Sequence, residues 1–455
     1  MREHWGLLCQ KLFRLAGPTA ACLMLSPIAN AQDFEQPEGR IRVVDHQFAE
    51  PEANQNAPLI INQNQLDPNS PEAIFTPWVT QNCAPGFGMA KKPQSLDTPN
   101  MIGDFLGRTG SVNFSTTTMG SLETSQGLFD IPGSGRVPKV AENNSAIPRD
   151  RFYFTYNHFH NAYSANSTVN PNDVDMDMIP LDPVVRSDQF HQNRFTLGLE
   201  KTFLYGDMSV EFRLPLVTQV DYEVPGFTDP TSTAFSFGTN DPTGNLSMIL
   251  KKVLFDWYGP RSSGVISSGF ALTFPTSEGA SVNLGDATFL VDDAGLHFSP
   301  YMTMLIESPA GWFIQGFVEF DYSTDKIAVE DRNAGGVGKV DIPDVVNLDV
   351  GAGWWLARYP DNHLFKGLAG IVEYHYTGQR QDFENIAFQS VGQNSTSDVI
   401  VGGFDSRRDI MNLTTGVHVV VTDHINARVA GVVPLRDAPD RQFDAEVVFQ
   451  LDLVR

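Results

Sequence analysis

The stretch MSVEFRLPLV, residues 208–217, decides the fold class of this chain. Met208, Val210, Phe212, Leu214 and Leu216 fall on one side of an extended backbone, and Ser209, Glu211 and Arg213 fall on the other. A period of two over about ten residues, apolar on one face and charged on the other, is the signature of a strand that crosses a membrane in a β-barrel. Working outward, similar segments recur through the last 300 or so residues, at about 152–159, 195–203, 246–255, 264–274, 297–307, 312–322, 345–357, 365–377, 410–421, 424–434 and 443–453. The pattern predicts an all-β fold, an antiparallel transmembrane β-barrel of about 12 strands.

The connections alternate in length. Links such as 204–207, 256–263, 308–311, 358–364 and 422–423 are short, whereas 160–192, 218–245, 275–296, 323–344 and 378–409 are long. Short turns on one rim and long loops on the other are what outer-membrane barrels show. An even strand count then places both barrel ends on the periplasmic side, with an N-terminal extension that never crosses the membrane. Aromatic residues gather near the short turns, at Phe203, Tyr205, Trp257, Tyr258, Trp312, Trp354, Trp355 and Tyr359, as expected of a girdle at the membrane–water boundary.

The domain reading follows. Residues 1–31 read as a cleaved signal peptide: Arg2, Lys11 and Arg14 precede an apolar stretch at 15–27, and Ala29-Asn30-Ala31 is a small-residue cleavage site. Residues 32–150 are rich in Pro, Asn, Gln and Gly and read as a largely irregular periplasmic extension or plug of low order. Residues 151–455 form the barrel domain. Cys9 and Cys22 leave with the signal, so Cys83 is the single remaining cysteine and no internal disulfide forms. No stretch after the signal approaches the roughly 18 apolar residues of a spanning helix, so a membrane location requires a closed barrel.

The formal charge of the whole chain is −23, and of the chain after the signal about −25. Nucleic acid is excluded as a partner, because binding it requires a basic footprint. The expected partners are the lipid bilayer of the outer membrane, the barrel-assembly machinery and a small-molecule solute.

If the apolar face meets lipid, the polar face lines the lumen. It includes Glu200, Glu211, Arg213, Lys251, Glu319, Asp349, Glu373 and Arg428, with Thr202, Ser209, Asp321, Asn347, His375, Glu446 and Gln450. Charges from neighbouring strands, such as Glu200 with Arg213, are candidates for a constriction that selects solutes. The bland alternative is a structural lattice of ion pairs filling a closed barrel. The acidic surplus favours cations or neutral solutes over anions.

Three other constellations carry less. Asp173, Asp175 and Asp177 space oxygen ligands as a calcium loop begins, yet Val184 stands where the distal glutamate belongs, so a solvated acidic loop is the better reading. A phospholipase barrel needs a serine and a histidine in hydrogen-bond reach, and no nucleophile motif surrounds His158, His160 and Ser164. His297, His375 and His418 stand on separate strands and read as ordinary lumen residues. The chain is expected to be no enzyme and to need no cofactor and no metal.

The segment GNLSMILKKVLFDWYGPRSSGVISSGFALTFPTSEG, residues 244–279, resembles the central hairpin of outer-membrane barrels of the phenol-degradation meta-pathway, transporter-like family. In that family a Gly-Asp/Asn strand precedes one ending Leu-x-x-Pro-Thr-Gly. Here Leu272, Pro275 and Thr276 match, and the glycine is displaced to Gly279. The segment PRDRFYFTYNHFHN, residues 148–161, is similar to the first strand of related barrels with an N-terminal extension. The resemblance implies an outer-membrane barrel moving small molecules, hydrophobic or aromatic ones among them. The last strand departs from the usual assembly signal, since it ends Leu453-Val454-Arg455 without a terminal aromatic residue.

The function expected is therefore passive passage of small molecules. A structural or adhesive surface barrel without an open pore is one alternative, and a soluble periplasmic β-protein with its apolar faces inward is the other.

Overall fold

The computed structural model describes residues 98–104, 111–118, 123–130, 138–171, 184–218, 221–225, 233–239, 242–277, 279–284, 287–292, 295–331, 335–341, 343–382, 384–391, 395–402, 407–438 and 440–455. The signal peptide and the calcium candidate Asp173, Asp175 and Asp177 lie outside them.

Twelve strands close into one antiparallel barrel. In chain order they are β3 (Arg151–Pro171), β4 (Val184–Phe203), β5 (Met208–Val217), β8 (Ser247–Tyr258), β9 (Ser263–Thr273), β12 (His297–Glu307), β13 (Trp312–Ser323), β16 (Val345–Arg358), β17 (Gly367–Gln379), β20 (Asp409–Val420), β21 (Ile425–Pro434) and β22 (Ala445–Val454). Each pairs with its neighbours, and the last strand closes on the first through Val454 opposite Arg151 and Ala445 opposite His160. The twelve predicted segments each fall on one of these strands, within a few residues except where β3 and β4 run on past the rim.

The side-chain alternation is inverted relative to a soluble protein. On β5, Ser209, Glu211 and Arg213 are buried while Phe212 is exposed. On β16, Asp349 is 0% exposed and its neighbour Val350 is 44% exposed. Leu199, Met302, Val372, Val429 and Val447 likewise face outward. Polar inside and apolar outside is what a barrel wall facing hydrocarbon requires. The soluble alternative fails here, because its apolar faces would have to point inward.

The short turns gather at one rim, and three residues of the 204–207 turn need left-handed backbone: Leu204, Tyr205 and Gly206 have φ of 48°, 61° and 89°. Phe203, Tyr205, Tyr258, Trp354 and Tyr359 are exposed at or near this rim. Trp355 is the exception among the expected girdle. It continues the inward-facing positions of β16 that include Asn347 and Asp349, so unbroken alternation points it inward, where its ring meets His418 edge-on at 5.8 Å.

The long connections carry further strands among their described residues. β3 and β4 are 21 and 20 residues long and run past the rim as a paired ribbon. The other connections carry β6 (Asp221–Pro225), β7 (Thr233–Thr239), β10 (Ala280–Leu284), β11 (Ala287–Asp292), β14 (Ile327–Asp331), β15 (Gly335–Val340), β18 (Asn385–Val391) and β19 (Ser395–Gly402). A hairpin from the N-terminal part of the chain joins them: β1 (Ser111–Thr118) pairs with β19, and β2 (Glu123–Asp130) pairs with the far end of β3. The expectation of an extension that stays on the short-turn side therefore does not hold for Ser111–Thr118 and Glu123–Asp130. At the long-loop rim β18-β19-β1-β2 extends the barrel sheet through β3, and a second sheet has the order β15-β14-β11-β10-β7-β6. Val112, Phe114, Val399, Val282 and Phe289 are buried in one apolar cluster drawn from both sheets, and Phe289 meets Phe388 edge-on at 5.6 Å.

Candidate functional site: a lumen filled by the chain itself

Two segments of the N-terminal region lie inside the barrel. Residues 98–104 run from the short-turn rim toward the long-loop rim, because Thr98 Oγ1 donates to Glu307 beside the 308–311 turn while Asp104 reaches Asn412 and Lys139. Residues 138–150 return and lead into β3. The two strands of chain are joined by a backbone hydrogen bond from Met101 N–H to Asn144 O, 2.8 Å. Local geometry requires particular residues here. Gly103 has φ 95°, and a Cβ on it would stand 2.8 Å from Glu142 Cγ. Asn143, with φ 46°, stands inside the turn that brings Asn144 N–H back to Ala141 O at 3.1 Å.

All eight sequence-predicted lumen residues lie buried on the inner face, and most grip these segments. Glu373 accepts the backbone N–H of Ile102 at 3.0 Å and of Gly103 at 3.3 Å. Glu319 accepts the N–H of Val140 at 3.0 Å. Arg213 donates to Lys139 O at 2.8 Å and to Val140 O at 3.2 Å, while its Nε pairs with Glu211 at 2.6 Å. Lys251 donates to Asn144 Oδ1 at 2.7 Å, and Arg428 donates to Asn143 Oδ1 at 2.6 Å and pairs with Asp452. Asp349 accepts from Lys139 Nζ at 3.2 Å and from His375 at 2.8 Å.

The expected pair of Glu200 with Arg213 is not formed. The β4–β5 register sets Gly198 opposite Arg213 and Glu200 opposite Glu211. Glu200 instead holds Arg151 at 2.7 Å and Lys251 at 3.1 Å. Sequence reasoning missed the partners supplied from before β4: Asp104, Lys139, Glu142, Asn143, Asn144 and Arg151. It also missed Arg194, whose guanidinium meets Glu142 at 2.7 Å. The signal available was an inner face carrying more charge than neighbouring strands pair among themselves, next to an extension rich in Asn and Gln.

Asp104, Asp349 and His375 converge closely enough to suggest a metal site. The Lys139 ammonium already stands between the two carboxylates, 2.8 Å from one and 3.2 Å from the other, so the cation of this cluster is the lysine. His297 faces inward and meets Asp321 at 3.2 Å, and His418 is buried beside Trp355. A cavity lined by Lys139, Arg213, Glu319 and Asn347 has about 10 Å³ of free volume, the room of one water.

Within residues 244–279 the family-like motif has a structural task. Asn245 Oδ1 accepts the N–H groups of Thr276 and Ser277, each at 3.1 Å, and the Ser277 hydroxyl at 2.8 Å. Asn245 thereby ties the long-loop ends of β8 and β9 together.

Fold and lumen define a closed, lipid-facing β-barrel whose interior is occupied by its own N-terminal segments. No family model and no curated protein matches the chain. Among solved structures, it is similar to an outer-membrane channel from Pseudomonas putida at 8% identity, over 79% of this chain and 100% of that one, with a TM-score of 0.39. It is also similar to CdiB from Escherichia coli (8% identity, 76% and 62% covered, TM-score 0.29). A loop-deletion mutant of OmpT from Vibrio cholerae follows (9% identity, 77% and 98% covered, TM-score 0.26). Likeness of this degree names neither a family nor a solute.

Proposed function

We propose that this chain is an outer-membrane channel for passive passage of small molecules, closed by its own N-terminal segment and opened by local release of that segment. The carrying observation is the difference between how wall and filling are held. The wall is a continuous backbone ladder of twelve strands. Among the described residues, the filling is joined to the inner face by side-chain bonds such as those of Glu373, Glu319, Arg213 and Lys251. A segment held in this way can leave while the wall stays closed.

The inner charges then face the vacated lumen and select the solute, with Glu200, Glu211, Glu319, Asp349 and Glu373 set against Arg213, Lys251 and Arg428. The resemblance of residues 244–279 to the phenol-degradation transporter-like family makes hydrophobic and aromatic small molecules the solutes to test first. In this reading residues 1–31 are removed on export, the short turns face the periplasm, and the assembly machinery inserts the barrel.

A second reading is favoured by the hairpin of β1 and β2. It is paired on both sides, to β19 and to β3, which anchors the N-terminal segment at the long-loop rim. That arrangement suits a closed structural barrel displaying a β-rich surface. Liposome swelling separates the two. Passage predicts slow swelling with the intact chain and faster swelling when Glu373 and Arg213 are both replaced by alanine. The surface reading predicts no swelling from either.

A further inference from the structure

Up the outward face of β3 the side chains read Phe152, Phe154, Tyr156, His158 and His160. Across the ladder on β4 stand Leu199, Leu197, Phe195 and Asn193, the last opposite His158. Tyr156 and Phe195 stack at 5.1 Å. The wall thus passes from apolar to aromatic to imidazole toward the long-loop rim, as it leaves hydrocarbon for water.

At the imidazoles the ladder is interrupted. Phe159 pairs with Gln192, and the next pair is Tyr163 with Phe190, so three residues of β3 stand opposite His191. Asn161, inside this bulge, has φ 53°. A bulge re-aims side chains, and here it draws three histidines together. The rings of His160 and His191 stack at 4.4 Å, and that of His158 lies 5.6 Å from His191 and 6.4 Å from His160. Each ring offers a nitrogen within 4.8 Å of those of the other two. Ligand nitrogens on a tetrahedral zinc ion, at Zn–N of about 2.0–2.1 Å, stand about 3.3 Å apart, a difference that side-chain rotation covers.

A hydrogen bond sets the tautomer of His158 as a ligand needs it. Asn193 Oδ1 accepts from His158 Nδ1 at 2.8 Å and from the Tyr156 hydroxyl at 2.9 Å. The proton of His158 is thereby held on Nδ1, and its Nε2 lone pair is left for a ligand. His191 Nδ1 accepts the N–H of Asn161 at 3.1 Å, so this ring ligates through Nδ1 by exchanging that N–H for the metal. His160 and His191 are exposed, which gives an ion direct access.

We propose that His158, His160 and His191 form a binding site for a borderline divalent metal ion, Zn²⁺, Cu²⁺ or Ni²⁺, on the outer wall at the long-loop rim. Three imidazoles suit these ions over Mg²⁺ or Ca²⁺, which take oxygen ligands. The bound ion staples β3 to β4 at the interruption of their ladder.

The test is competitive titration of the chelator-stripped full chain, in detergent, with Zn²⁺ against a chromophoric chelator. One tight equivalent is expected. His160→Ala or His191→Ala should weaken it at least tenfold, whereas His363→Ala and His424→Ala, at exposed short-turn histidines, should leave it unchanged. Retention of the full equivalent at undiminished affinity by the triple variant His158→Ala/His160→Ala/His191→Ala would overturn the site. Electron paramagnetic resonance of Cu²⁺ on the unmutated chain gives a reading independent of variant folding. Coordination by three imidazole nitrogens is expected, and an all-oxygen signal would overturn the proposal. Neither outcome depends on whether the barrel conducts.

Discussion

Replacing Glu373 by alanine separates the filling of the barrel from its wall. The Glu373 carboxylate accepts the backbone N–H groups of Ile102 and Gly103 in the buried lumen. Hydrogen bonds to an ionised group contribute about 1.5–3 kcal/mol each, so losing two costs the segment about 3 kcal/mol at the low end. That corresponds to roughly a hundredfold rise in the equilibrium for local opening of residues 98–104. The ladders of β17 with β16 and β20 are backbone pairs from Gly367 to Gln379 and do not use this side chain. Hydrogen exchange read by mass spectrometry should therefore show faster exchange in peptides covering 98–104 and unchanged exchange in β16, β17 and β20. Glu373→Gln keeps one acceptor oxygen without the charge and should fall between. Unchanged protection of 98–104 in an intact Glu373→Ala barrel would refute the reasoning, as would collapse of the whole wall.

Three further outcomes follow from the packing. A Cβ on Gly198 would stand 2.0 Å from the Tyr153 ring, so Gly198→Ala should cost about 1–3 kcal/mol and lower the temperature at which the barrel loses its compact gel mobility. Val350 faces outward midway along β16, and Val350→Arg should cost about 2–4 kcal/mol when folding into vesicles is titrated with urea, because the charge meets hydrocarbon. Phe114 is buried in the apolar cluster at the long-loop rim, and Phe114→Ala should loosen that region by about 3–5 kcal/mol. Protease should then cut the long-loop side sooner while the heat-dependent gel shift of the barrel persists.

The wall was legible because one physical rule governs all of it. Lipid outside and polar contents inside force a period of two, and Met208–Val217 displays it without interruption. The inward set from Glu200 to Arg428 follows from the same rule. Their partners were not legible, because pairing depends on register: a two-residue difference sets Glu200 against Arg151 and Lys251 instead of Arg213. The lumen segments left no periodic trace either. Their backbone at Ile102, Gly103 and Val140 bonds to side chains about 180 to 270 residues away, and nothing in the local sequence encodes that. The loop-side strands were missed because several are only five or six residues long, as with Ala280–Leu284 and Ile327–Asp331, too short for alternation to register. The histidine cluster hides for a related reason. His158 and His160 are close in sequence, but His191 joins them only through the β3–β4 register and its bulge.

Single-channel recording in planar bilayers tests the central claim most directly, comparing the intact chain with Glu373→Ala/Arg213→Ala. The account predicts rare, brief openings from the intact chain, and frequent, sustained openings from the variant, whose lumen segments have lost the Glu373 acceptor and both Arg213 donors. A variant that retains the heat-dependent gel shift of a closed barrel and is as silent as the intact chain would contradict it.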